Sequence, residues 1–331
     1  MTTCGAPEPP PPVFGPVPSR RLGRSIGINN IPPKICSFAC VYCQVGPTLD
    51  RTIETQAFFE PKALTDAVAS HVAQVRTRGE DIDYLTFVPD GEPTLDAGLG
   101  EAIRLLRPLG IKVAVITNGT LLWRDDVRSA LEGADWVSVK VDAADPAIWR
   151  RVNRPHPDLD FATVRDGIAR FAASFTGDFV SETMLVSGMN DGVETVEAVG
   201  AFLSSIDLTA AYLSIPTRPT PYAAITAPDE QIVNRAYQAL SEMVPHVEYL
   251  VGYEGDEFAS SGDPRADILS VTAVHPMRAS AVHELLDRTG APWGVIEDLV
   301  ADGDLIEAPY RDEMFYVRRF DSRRSRPAER T

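Results

Sequence analysis

Between residues 61 and 251 the chain alternates, unit after unit, between segments of helical spacing and short apolar runs. Lys62 to Val75 sets Leu64, Val68, His71, Val72 and Val75 near one helix face, and Tyr84 to Val88 follows as a buried-strand run. The pattern continues with a helix at Leu99–Leu106, a strand at Lys112–Ile116, a helix at Leu122–Leu131 and a strand at Trp136–Val141. It then runs through a helix at Phe161–Phe171, a strand at Phe179–Val186, a helix at Val193–Leu203 and a strand at Ala210–Ile215, and closes with a helix at Gln231–Met243 and a strand at Val247–Val251. Apolar strands separated by helices specify a parallel sheet covered by its crossovers. The expected architecture is α/β, a partial or full (βα) barrel whose functional groups collect at the C-terminal strand ends. Ser25–Asn29 reads as the first strand, and Ile31–Ile35 carries the chain into a loop rich in cysteine.

That loop is Cys36-Ser37-Phe38-Ala39-Cys40-Val41-Tyr42-Cys43, with thiols at C-x3-C-x2-C spacing and an aromatic residue before the third. Thiolates this close converge on one inorganic centre, and as soft ligands they select iron–sulfur clusters, zinc or copper(I). A zinc site needs a fourth Cys or His at short spacing; none follows within the next twenty residues, His71 being the first histidine. Four thiolates normally complete a [4Fe–4S] cluster. Three leave one iron open for chemistry.

The C-x3-C-x-aromatic-C motif resembles that of the radical S-adenosylmethionine (radical SAM) superfamily, and the resemblance covers about residues 14–255. It implies that Cys36, Cys40 and Cys43 hold a [4Fe–4S] cluster whose fourth iron is chelated by SAM, with Tyr42 beside it. It also implies an electron donor such as flavodoxin or ferredoxin, and reductive cleavage of SAM to a 5′-deoxyadenosyl radical that abstracts hydrogen from substrate. Asp90-Gly91-Glu92-Pro93 resembles the superfamily's Gly-Gly-Glu turn for the SAM amino group, with Asp90 in place of the first glycine. Gly91, Glu92 and Pro93 are therefore expected at SAM. Thr117-Asn118-Gly119 ends a strand on the same rim and brings in Asn118. Ser138, Lys140 and Asp142 alternate along the next strand and share a side; the resemblance assigns Ser138 and Lys140 to the SAM ribose or carboxylate. Glu182 and Met184 share a face further on, Thr217 and Arg218 lie at a later strand end, and His156 sits in a loop after Arg154-Pro155. No residue is singled out as acid, base or radical relay.

Around this barrel, residues 1–19 read as a proline-rich tail and residues 20–255 as the barrel. Residues 265–320 read as a small winged-helix-like domain, and 321–331 as a second tail. In the appendage, helices are expected at Ser280–Leu286 and Pro292–Val300, the latter with Pro292 at its first position, followed by a hairpin of Leu305–Glu307 and Met314–Arg318. A groove-reading helix there would offer Glu297 and Asp298 to DNA, so peptide or protein contact, or plain substrate capping, is the better use. The formal charge of −16 disfavours extended nucleic-acid binding. No apolar run is long enough for a membrane span and no secretory signal is evident, and the few cysteines suit a reducing cytoplasm.

The stretches Phe14–Gly23 and Gln44–Gly46 resemble a branch related to wyosine synthases, which act on transfer RNA. Those enzymes carry a second cysteine triplet, whereas Cys4 is the spare cysteine here. The expected substrate is accordingly a small molecule or peptide. A tRNA base or a partner protein activated by a radical are the alternatives, and a non-catalytic iron–sulfur or zinc module stands last.

Overall fold

The structure, a computed structural model, describes residues 12–250, 258 and 262–319. The proline run before residue 12, Cys4, most of the acidic loop after residue 250 and the C-terminal tail lie outside the described residues.

Eight strands form one sheet in chain order: β1 (Val13–Ser19), β2 (Gly23–Ile28), β3 (Tyr84–Phe87), β4 (Lys112–Thr117), β5 (Trp136–Lys140), β6 (Asp178–Met184), β7 (Ala210–Ser214) and β8 (Val247–Leu250). All neighbours from β2 to β8 run parallel, and β1 alone is antiparallel. The sheet is a half-barrel, the partial form of the expected fold. Helices α1 (Pro61–Thr77), α2 (Leu99–Leu106), α3 (Asp125–Leu131), α4 (Pro146–Asn153), α5 (Phe161–Ser174), α6 (Val193–Leu203) and α7 (Glu230–Ser241) lie between strands.

Strand residues alternate between two environments, as period-two side chains must. Leu85, Phe87, Val113, Val115, Val137 and Val139 face outward into the main core with Val68, Val72, Ile103, Leu131 and Ile168 of the helices. Ala114, Trp136, Val180, Ala210 and Tyr212 face the lumen and pack with Leu22. The helix starts are set by carboxylates and prolines: Asp145 accepts from the amides of Ala147 and Ile148, with Pro146 opening α4.

Two boundaries differ from expectation. Residues 13–19 are an edge strand and not tail, because Val13 and Phe14 are buried and the Phe14 ring lies where a side chain on Gly27 would sit. Pro16 and Pro18 are tolerated there because an edge strand need not donate every amide. The helix expected from Pro292 begins at Gly294, with Pro292 before its cap residue Trp293.

After the half-barrel come α8 (Pro264–Val274), β9 (Met277–Arg278), α9 (Ala279–Thr289), α10 (Gly294–Ala301), β10 (Leu305–Tyr310) and β11 (Glu313–Arg318). The three strands pair antiparallel in the order β9-β11-β10. Ile268, Val271, Met277, Val282, Leu285, Ile296, Leu299 and Tyr316 make a separate core against which Val17 of β1 packs. The appendage is thus seated on the barrel's edge strand.

Candidate functional site

The cysteine loop is strapped across the C-terminal rim of the half-barrel by backbone bonds from three segments. Ile35–Cys36 pairs in parallel with Asp50–Arg51. The Glu92 amide donates to the Ile35 carbonyl at 3.0 Å, and the His156 amide to that of Ser37 at 2.9 Å. The Ala39 amide reaches the Asn153 carbonyl at 3.0 Å, and the Val41 amide that of Val152 at 2.9 Å. Gly91 is required by proximity: a Cβ on it would lie 2.0 Å from the Ile35 carbonyl oxygen.

None of the three thiols is in a disulfide. Burial pushes Cys36 well up and Cys40 up to about 12, with Glu92 and Asp142 respectively adding to the effect. Cys43 is also raised by burial, though Lys34 opposes the rise. N–H groups surround the sulfurs: the Phe38 amide lies 3.4 Å from Cys36 Sγ, Asn118 Nδ2 3.6 Å from the same atom, and Asn153 Nδ2 3.5 Å from Cys40 Sγ. Such donors favour sulfur in its anionic, metal-bound form and tune a cluster's potential. Among the described residues no group of three His, Cys, Asp or Glu is drawn tightly enough to hold a single ion. A four-iron cluster distributes its thiolates over separate irons, so soft, partly buried, N–H-flanked thiols on one loop fit it.

Beside the loop, the Asp90–Pro93 turn is cross-braced. Glu92 accepts from the Thr94 amide at 3.0 Å and hydroxyl at 2.5 Å, from the Thr117 hydroxyl at 2.5 Å and from the Asn118 amide at 2.7 Å. Its carboxyl thereby ties the end of β3 to the end of β4. Burial raises its pKa, and these neutral donors only partly offset the rise. Pro93 is buried at the start of a short 3-10 turn, and its carbonyl accepts from Asn30 Nδ2 at 3.1 Å. Asn118 faces the other way, donating to Ser37 Oγ at 2.8 Å and accepting from the Thr120 amide at 3.0 Å. Asp90, the departure from Gly-Gly-Glu, pairs with buried Lys34 at 2.8 Å. Its pKa is pushed up to about 6 by burial against the pull of Lys34.

The lumen wall is a second group. Lys140 at the end of β5 lies 2.5 Å from Glu182 on β6, and Arg21 of the β1–β2 turn binds the other carboxylate oxygen. Ser214 Oγ donates to Glu182 at 3.0 Å. Burial alone would raise Glu182, but Lys140 and Arg21 hold it well below the usual carboxylate range. Ser138, one step down β5 on the same side, is 1% exposed and its hydroxyl has no hydrogen-bond partner. An orphaned buried hydroxyl in a charged lumen fits a bound polar cofactor.

Asp142 anchors the far side. It accepts from the Tyr42 hydroxyl, from Asn153 Nδ2 at 2.5 Å and from the Met184 amide at 2.8 Å. Burial raises its pKa. Tyr42 is therefore buried and engaged by Asp142, in an apolar cluster with Val152, Met184 and Val186.

The structure gathers Cys36, Cys40, Cys43, Tyr42, Gly91, Glu92, Pro93 and Asn118 around the loop, and Ser138 and Lys140 on the adjoining wall. His156 contacts the loop through its backbone, and Thr217 makes none of the site contacts described above. Sequence reasoning passed over Asn153, Lys34 and Arg21. Asn153 closes α4, a helix announced by Asp145-Pro146 and by apolar Ile148, Trp149 and Val152; Lys34 and Arg21 are recognised only through partners distant in sequence.

A family model described as the radical SAM superfamily matches residues 30–199. A UPF0026 protein of Methanocaldococcus jannaschii is 39% identical over 94% of this chain and 97% of its own length. The fold is similar to a radical SAM methyltransferase from Sphaerobacter thermophilus (TM-score 0.53, 16% identity, 69% of this chain and 66% of that one). It is also similar to TYW1 with a lysine–pyruvate adduct bound (TM-score 0.51, 16% identity, 66% and 73%). This chain belongs to the radical SAM superfamily and is an enzyme of it, with a [4Fe–4S] cluster and SAM as cofactors.

Proposed function

We propose that Cys36, Cys40 and Cys43 hold the cluster, that Gly91, Glu92, Pro93, Asn118, Ser138, Lys140 and Tyr42 frame SAM, and that the substrate is a small molecule or short peptide in the lumen. Cluster-bound SAM supplies a 5′-deoxyadenosyl radical on one-electron reduction, for hydrogen abstraction from that substrate. This chain's own residues bind, orient and exclude water. Glu92 holds two strand ends under the SAM position, and the hydroxyl of Ser138 awaits a polar partner. Lys140 and Glu182 keep fixed charges at the wall, where low dielectric makes them effective.

The observation that carries the small-substrate reading is the covered mouth of the lumen. Arg218, beyond β7, donates to Gln44 next to the cysteine loop at 2.7 Å and lies 2.5 Å from His275 Nε2 of the appendage. The Tyr310 hydroxyl donates to the Pro216 carbonyl at 2.9 Å. The appendage, which we read as winged-helix-like, thus caps the barrel instead of presenting an open groove. Burial and the neighbouring arginines push Arg218 down to about 9, and burial with Arg21 pushes Arg20 down to about 10. A mouth this rich in cations favours a substrate with an anionic group. A folded tRNA needs a broad open basic face, which a chain of charge −16 with a capped lumen disfavours. We place the enzyme in the cytoplasm; among the described residues no helix is long and apolar enough to cross a membrane.

The test divides a cell extract by ultrafiltration and adds each part to reconstituted, dithionite-reduced enzyme with SAM. The filtrate of small solutes is expected to stimulate 5′-deoxyadenosine formation. Stimulation confined to the retentate and abolished by ribonuclease overturns the reading in favour of RNA; abolition by protease instead favours a partner protein.

A further inference from the structure

We propose that Asn153 is a positioning residue that sets the reduction potential of the cluster, its side-chain amide donating to the Cys40 thiolate while clamped on the other side by Asp142. The residue is 1% exposed and binds the cysteine loop through both backbone and side chain. Its carbonyl accepts from the Ala39 amide at 3.0 Å, and its Nδ2 lies 3.5 Å from Cys40 Sγ. The same nitrogen lies 2.5 Å from Asp142 Oδ2 and 3.5 Å from the Tyr42 hydroxyl. Asp142 is itself held by the Met184 amide at 2.8 Å and by the Tyr42 hydroxyl. Tyr42 directs its single hydrogen to Asp142, so the side-chain donor left for Cys40 is Asn153.

The neighbours dictate which way this amide points. Turned over, it would set Oδ1 against the Asp142 carboxylate and the Cys40 sulfur, both acceptors. As it stands, its two hydrogens serve the carboxylate and the sulfur, and Oδ1 is left buried with no hydrogen-bond partner. An unmade buried bond costs stability, so packing alone does not account for it. The backbone carries the same mark. Arg154 follows α4 in the left-handed region, at φ 46°, although it is not glycine, and the carbonyls of Asn153 and Arg154 both meet the Ala39 amide there. A left-handed residue and an orphaned oxygen at one helix end point to a constraint imposed by the site. Asn118, the asparagine beside Cys36, is placed differently: its Nδ2 is 3.6 Å from the sulfur but 2.8 Å from the neutral Ser37 hydroxyl. Only at Cys40, among the described residues, does an amide stand between a cluster sulfur and a buried carboxylate. An electron added to the cluster meets that carboxylate's repulsion, and a donor aimed at the sulfur offsets it, so Asn153 raises the potential. The inference rests on the cluster being bound at the three cysteines, and not on the identity of the substrate.

The experiment is a reductive titration of reconstituted wild type, Asn153→Leu and Asn153→Asp, followed by electron paramagnetic resonance without SAM, with iron counted and circular dichroism recorded for each. Leucine keeps the branched shape and removes the N–H. Aspartate keeps the shape and sets an oxygen toward the sulfur in place of the N–H. Both variants should hold about four irons per chain, as wild type does. At a fixed potential their ratio of reduced to oxidised cluster should fall at least about tenfold, which is about 59 mV for one electron. A potential unchanged or raised in either variant with its irons in place overturns the proposal. If leucine alone fails to fold or to hold iron, the aspartate variant decides. Loss of the cluster from both variants also overturns it, because Asn153 is then a brace of the loop. Wild type that binds no cluster refutes the cysteine reading itself, so the iron count of wild type tells the two failures apart.

Discussion

Glu92 and Glu182 are both buried carboxyls at the strand ends of one half-barrel, yet their surroundings are opposite. Glu92 is held by two threonines and two amides, all neutral, and burial leaves its pKa raised. Glu182 lies between Lys140 and Arg21, which hold its pKa well below the usual range against the same burial. The first arrangement is a brace that keeps the β3 and β4 ends in register beneath the cysteine loop. The second keeps a charged triad in the lumen, which structure alone does not require; a buried ion pair is weak evidence for stability and better evidence for a site.

The sharpest break between frame and cofactor comes from the cysteines. Changing Cys36, Cys40 or Cys43 to serine should abolish 5′-deoxyadenosine formation and strip the iron while circular dichroism stays unchanged, because neither carboxyl depends on the cluster. Next, Glu182→Gln leaves Lys140 and Arg21 without their anion and should cost about 3–5 kcal/mol in denaturant unfolding. Glu92→Gln keeps one accepting oxygen but turns an N–H donor toward the Asn118 amide, for a loss of about 1–3 kcal/mol. If the Glu92 variant proved the less stable of the two, the contrast between brace and charge would fail.

Acid titration separates the pair further. A depressed folded pKa gives Glu182 a stabilising contribution that is present above its unfolded value of 4.5 and lost as pH falls through the folded value. The raised pKa of Glu92 works oppositely, contributing stability that is full below 4.5 and lost as pH rises through its folded value. Unfolding free energy measured from pH 3 to 7 should therefore lose its acid-side decline in Glu182→Gln and lose a neutral-side decline in Glu92→Gln. The smallest effect belongs to the cap: Tyr310→Phe gives up one partly buried hydrogen bond, about 1 kcal/mol, with unchanged iron content.

Much of this was readable beforehand because it depends on short-range pattern. The βα series follows from period and turn chemistry, the thiols from spacing, and the common side of Ser138 and Lys140 from strand alternation. What escaped depends on contacts between distant residues. Arg21 and Glu182 are separated by 161 positions, and Cys40 and Asn153 by 113. Asp90 looked like a departure from a glycine motif until Lys34 was found beside it, 56 positions away. The first strand was hidden because prolines, read locally, argue for a tail, and only burial of Phe14 against Gly27 makes them edge-strand residues.

The central claim is that three thiolates of this half-barrel support reductive cleavage of SAM. Its most direct measurement is the 5′-deoxyadenosine released when the anaerobically reconstituted enzyme, holding about four irons per chain, is reduced with dithionite in the presence of SAM. At least one equivalent per chain is expected, and none from the Cys40→Ser variant. SAM recovered intact from wild type with its four irons in place would contradict the claim.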